Sequence, residues 1–227
     1  MPTDGEGPRR GLSCGMVGAQ ARGRFITLEG GEGAGKSIQA RRLAKALAAA
    51  GLPVLHTREP GGSPGAEAIR GLLLDSGPWD PVAETMLYFA ARREHMARTV
   101  APALAAGIWV VSDRFADSTL AYQCFGLGVP RAVWDGLASI ALDGIRPDLT
   151  LVLDIGPEEG LARAAARGET NRYEALGEDF HARVRDGFRA IAAAEPDRCV
   201  VVDATDSPEG VAASILAAVR TRLRSPP

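Results

Sequence analysis

Gly30-Gly31-Glu32-Gly33-Ala34-Gly35-Lys36-Ser37 fits the pattern G-x-x-x-x-G-K-[ST]. Before it stands Phe25-Ile26-Thr27-Leu28-Glu29, a short β-rich run, and after it Ile38 to Ala50 carries Ile38, Leu43, Ala46 and Leu47 at helical spacing. Strand, loop and helix in that order are the context in which such a loop wraps the phosphates of a nucleotide. The glycines let backbone N–H groups turn inward, and the helix N-terminus adds partial positive charge. Lys36 has the length to reach the outer phosphates, and the Ser37 hydroxyl suits Mg²⁺.

Working outward, Gly51 stops the first helix and Pro53 to Thr57 is a second strand, ending in Arg58-Glu59-Pro60-Gly61-Gly62. A charged, glycine-rich loop at a strand's end is where an open α/β sheet binds ligands. Ala66 to Leu74 reads as a helix, and Pro81 opens a long one to about Ala106 in which Pro102 predicts a kink or a new turn. Ile108 to Ser112 is an apolar run of strand length, as expected of a strand covered on both faces, and it ends in Asp113-Arg114-Phe115. Helical stretches follow over about 117–122 and 130–142, then a strand over 149–153, helices over 157–167 and 176–194, a strand over 200–202 and a closing helix over 208–223. This alternation predicts an α/β P-loop fold, a doubly wound, five-stranded parallel sheet flanked by helices. Residues 1 to 23 lack periodicity and read as a disordered extension; Met16 is an alternative start, and Arg9, Arg10 and Arg22 an alternative basic arm.

The 227 residues are 46% hydrophobic, enough to bury a core, so one domain over 24–227 is expected. With 26 basic residues against 28 acidic, no global field recruits a nucleic acid polymer or an anionic membrane. No apolar run reaches the ~18 residues of a membrane span. Cys14, Cys124 and Cys199 form no CxxC pair, and His56, His95 and His181 are scattered, which argues against a disulfide framework or a zinc site. With no signal peptide, the expected location is cytoplasmic.

A phosphate loop names only one substrate. Arg58 to Gly62, Tyr88 to Arg92, Asp113 to Phe115, Asp117 to Gln123 and Arg146 to Asp154 together closely resemble the bacterial thymidylate kinases, from about Arg24 to Leu223. The resemblance implies transfer of the γ-phosphoryl of ATP to thymidine 5′-monophosphate with Mg²⁺, by a homodimer. The alternatives are another nucleoside monophosphate or deoxynucleoside kinase, or a non-catalytic nucleotide-dependent switch. Because the acceptor phosphate is already an anion, no strong base is needed, and the chemistry is positioning and charge neutralisation.

The resemblance distributes roles as follows. The loop from Gly30 to Ser37 holds ATP together with Arg163. Lys36, Arg114 and Glu32 serve the transfer, with Glu32 reaching the acceptor's 3′-hydroxyl and metal-bound water. Ser37 and Asp113 attend the Mg²⁺, although Asp113 has the alternative of orienting Arg114. Arg58 and Arg114 hold the acceptor phosphate, for which guanidinium forks are suited. Tyr88 stacks on the base, Phe89 being one residue away as the alternative, and Arg92 touches a base carbonyl from one helical turn on. Thr119 and Gln123 bond the base edge, and Tyr122 lies against the sugar. Because the loop has no basic residue between Gly31 and Ala34, the further catalytic charge falls to Arg167 or Arg172, in a lid over about 167–175. There the family's Asp-Arg-x-Glu is replaced by Asn171-Arg172-Tyr173-Glu174.

Overall fold

The structure is a computed structural model and describes residues 22–166, 168 and 172–223. Five strands, β1 (Phe25–Gly30), β2 (Val54–Arg58), β3 (Trp109–Asp113), β4 (Leu149–Asp154) and β5 (Cys199–Asp203), form one parallel sheet in the order β2-β3-β1-β4-β5. The chain leaves β1 for the far edge, returns through β3, and crosses β1 to β4. All strands therefore end along one rim, where ligands of open α/β sheets bind.

Both faces of the central strands are covered, which is why they read as continuous apolar runs. On one face Ile26, Leu28, Val111, Leu151 and Leu153 pack against Leu43 and Leu47 of α1 (Lys36–Ala49) and Ile215 and Val219 of α9 (Pro208–Leu223). On the other, Phe25 and Val110 meet Met96, Val100, Leu104 and Phe115, while Val152 meets Leu120, Val184 and Phe188. Side chains alternate across a strand, so Phe25 and Ile26 serve opposite layers. Each fully buried Leu or Phe contributes on the order of 1.5–3 kcal/mol.

The remaining helices are α2 (Pro64–Asp75), α3 (Pro81–His95), α4 (Ala101–Ala105), α5 (Ala116–Thr119), α6 (Arg131–Ala141), α7 (Pro157–Ala165) and α8 (Glu178–Ala194). Asp80 caps α3 by accepting from the N–H groups of Val82 and Ala83. Before Pro102 the helix widens into a π-helical segment, Met96–Val100, rather than ending. Proline has no N–H and its ring crowds the carbonyl one turn back, and a wider turn is one way to absorb that. A second π segment, Leu120–Gly126, continues α5, so the expected helix over 117–122 extends to Gly126. Of the expected extension, Arg22 and Gly23 are tied to the domain, Gly23 N–H to the Leu104 carbonyl at 2.9 Å and Arg22 to Asp148 at 3.3 Å; residues 1–21 lie outside the described residues.

Candidate active site

The phosphate loop joins β1 to α1. Gly33 has a φ of +68°, and a Cβ there would stand 1.9 Å from the Gly160 carbonyl of α7, so only glycine fits. Lys36 folds back and donates to the Gly31 carbonyl at 2.6 Å. Burial, with Arg114 nearby, lowers its pKa to about 8 against the opposing pull of Glu32, Asp113 and Glu29. Ser37 Oγ donates to the Asp113 carboxylate. The two expected metal residues, distant in sequence, thus meet as a pair of hard oxygen donors, which suits Mg²⁺ completing its shell with water and phosphate oxygens. Asp113 also lies close enough to Arg114 to favour that guanidinium's charge.

Arg114 follows β3 in a left-handed conformation, φ +72°, which costs a non-glycine residue about 1–3 kcal/mol. The turn brings its guanidinium to the phosphate loop. There it donates to Glu32 at 3.1 Å, the Gly30 carbonyl at 3.2 Å, Ser118 Oγ at 3.0 Å and the Tyr122 hydroxyl at 3.2 Å. The Tyr122 hydroxyl donates to Glu32 at 2.9 Å. Glu32 therefore has its positive counterpart beside the phosphate cradle. Burial disfavours the Arg114 charge, but Tyr122, Glu32, Asp113 and Glu29 outweigh it and hold the pKa above the usual arginine value. Glu29, missed in the sequence because it lies inside an apolar strand, fixes this turn by accepting from Phe115 N–H at 2.7 Å and from Ser118 Oγ. Burial, with Asp117 alongside, pushes its carboxyl up to about 8.

A cleft of about 1100 Å³ runs from this cradle past Arg58, Arg70, Tyr88, Arg92, Thr119, Tyr122 and Gln123. Single-ligand sites are commonly ~300–1,000 Å³, and this cleft lies just above that range. Arg58 lines the cleft but is half exposed and pairs with Glu67 at 3.0 Å. Of the two aromatic candidates, Tyr88 lines the cleft, whereas Phe89 is buried against Trp134 and Ala138. Arg92 is 2% exposed, donating to Glu59 at 2.7 Å and to the Phe115 carbonyl and Thr119 Oγ1 at 3.0 Å each; its Nη1 is buried without a hydrogen-bond partner. Glu59 also pairs with His95 at 3.0 Å, and His95 reaches Thr57 Oγ1 at 2.8 Å. Gln123 donates to Glu84 at 2.8 Å and to the Tyr173 hydroxyl at 3.0 Å.

Arg163 lies at the cradle's far side, donating to the Ala204 and Thr205 carbonyls after β5 at 2.8 and 3.2 Å and to Glu159 at 2.6 Å. Arg167 lies outside the described residues. Arg172 is not brought to the cradle; it pairs with Glu84 on α3 and donates to the Tyr173 hydroxyl. Sequence reasoning passed over Arg70, Glu59, Glu84 and Tyr173. Glu59 stood inside a quoted motif, and Arg70 three residues after Glu67 on one helix face offered a signal. Tyr173 likewise stood inside the quoted lid motif, and Glu84 gave no signal without the tertiary contact.

A family model described as thymidylate kinase matches residues 28–215. Among curated proteins, the chain is 53% identical over 204 residues to the thymidylate kinase of Caulobacter vibrioides, covering 89% of this chain and 98% of that protein. It is 51% identical over 210 residues to the thymidylate kinase of Trichlorobacter lovleyi, covering 89% and 99%. Among solved structures, thymidylate kinase from Ehrlichia chaffeensis superposes with a TM-score of 0.73 at 32% identity, over 87% of this chain and 99% of that one. These matches span the phosphate loop, the Arg114 turn and the cleft between them, and the chain belongs to the thymidylate kinase family.

Proposed function

We propose that the protein transfers the γ-phosphoryl group of ATP to thymidine 5′-monophosphate, giving ADP and thymidine 5′-diphosphate. The observation that carries this reading is one cleft with the phosphate loop at one end and Arg58, Tyr88, Arg92, Thr119 and Gln123 at the other. An oxygen of the acceptor phosphate attacks the γ-phosphorus in line, and the bond to the β,γ-bridging oxygen breaks. The loop amides, Lys36 and Arg163 hold the donor, and Arg58 and Arg114 the acceptor phosphate. Tyr88 stacks on the base, Arg92 offers its free Nη1 to a base carbonyl, Thr119 and Gln123 take the base edge, and Tyr122 and Glu32 the sugar. Ser37 and Asp113 would hold Mg²⁺, which, when bound, neutralises charge on the β- and γ-phosphates. Arg167 or Arg172 supplies further charge when the 167–175 segment acts as a lid.

The same reading makes the enzyme a cytoplasmic homodimer. No helix among the described residues is long and apolar enough to cross a membrane, and Cys124 and Cys199 are free thiols. Met86 on α3 and Ile140 on α6, two helices packed together, are 52% and 74% exposed. Purified protein with ATP and Mg²⁺ should phosphorylate thymidylate far better than uridylate, cytidylate or guanylate; equal rates would overturn the assignment of the acceptor.

A further inference from the structure

Glu84 has no part in the scheme above, yet three side chains donate to its carboxylate. It sits on α3 one turn before Tyr88 and is 3% exposed. Its Oε1 accepts from Gln123 Nε2 at 2.8 Å and from the Tyr173 hydroxyl, and its Oε2 accepts from Arg172. Paired with Arg172, Glu84 is a carboxylate, and a carboxylate can only accept. The Gln123 atom facing it must therefore be the amide nitrogen, whichever way the amide is drawn.

The second donor contact of that nitrogen is equally committed. The Tyr173 hydroxyl spends its one hydrogen on Glu84, which leaves it an acceptor toward Gln123 at 3.0 Å. With its nitrogen bound on both counts, Gln123 has its oxygen turned away from Glu84 and Tyr173, and among the described residues no donor is bonded to that oxygen. Gln123 lines the cleft.

We propose that Glu84 is a specificity-determining positioning residue: by holding the Gln123 nitrogen it presents the Gln123 oxygen to the base as an obligate acceptor. The site then selects a pyrimidine with an N–H at ring position 3, as in thymine and uracil. It rejects cytosine, whose ring nitrogen there is itself an acceptor. A free glutamine would flip and serve either base. Two acceptors left facing each other cost on the order of a buried unsatisfied polar group, about 1–3 kcal/mol. The 5-methyl group, which separates thymine from uracil, lies outside this device.

This inference rests on the reading of the cleft as a thymidylate site, and the test separates the two. The ratio of kcat/KM for thymidylate to that for deoxycytidylate is measured in wild type, E84Q and the exchange variant E84Q/Q123E. A Gln at 84 no longer dictates which atom faces it, so E84Q should lower the ratio at least about tenfold. In the exchange variant a glutamine amide donates to a carboxylate at 123, which again shows the base an acceptor, and the ratio should recover most of the loss. A folded E84Q with the wild-type ratio, or a folded exchange variant with no recovery, overturns the proposal. Wild-type protein is also assayed with N3-methylthymidylate, which lacks the ring donor and requires no mutation. Acceptance of this analogue as readily as thymidylate overturns the proposal even when neither variant folds. Wild-type protein that phosphorylates no pyrimidine monophosphate sinks the function itself instead.

Discussion

Lys36 lies folded onto its own loop, bonded to the Gly31 carbonyl and with its pKa lowered to about 8 by burial and the nearby Arg114. A triphosphate in the loop brings several negative charges to the ammonium and favours its charged form. ATP binding should therefore take up protons at about pH 8.5 and little at about pH 7, read as a buffer-dependent enthalpy in titration calorimetry. The sign follows from the lowered value: the empty site has lost part of the Lys36 charge at the higher pH, and binding restores it. An enthalpy independent of buffer ionisation at the higher pH would show that Lys36 is already fully charged. Lys36 was legible from its motif alone, but its altered acidity comes from its burial in the folded loop and then from Arg114, far along the chain.

Between elements, the buried cluster of Glu59, Arg92 and His95 ties the loop after β2 to α3. Its members are 0–3% exposed in their side chains, so each depends on the others for the charge or hydrogen bond that water no longer supplies. Replacing Glu59 by Gln leaves Arg92 short of its counter-ion, which for buried pairs costs about 3–5 kcal/mol. At roughly 2–4 °C per kcal/mol for a chain of this size, calorimetry should find Tm lower by on the order of 10 °C. KM for thymidylate should rise with it, because Arg92 loses its anchor; an unchanged Tm would mean that the cluster contributes nothing net. Periodicity located α3, but that it runs through a π segment into α4, and that Phe89 faces the core while Tyr88 faces the cleft, depended on packing against α6. One-residue shifts around a helix turn a side chain by about a quarter of a circle, and sequence spacing around a pair of aromatics does not resolve that.

For the whole molecule, Arg22 and Gly23 are bonded into the domain, and removal of residues 1–21 should leave steady-state kcat and KM within about twofold and Tm within about 2 °C. A large loss would make the extension functional. The exposed Met86 and Ile140 predict that sedimentation finds a dimer, and that Ile140→Glu shifts it toward monomer, since a charge buried without a partner opposes association. A wild-type monomer at micromolar concentration would remove the dimer from the proposal. Local spacing, glycine freedom and hydrophobic period suffice to read the strand-loop-helix at the phosphates, the alternation that makes a parallel sheet, and the set of charged strand ends straight from the residues. The partners come from folding: Ser37 with Asp113, Glu32 with Arg114, and Arg172 and Gln123 on Glu84. Those contacts join residues tens of positions apart, and a buried charge takes its role from whichever opposite charge or donor the fold places within hydrogen-bond reach.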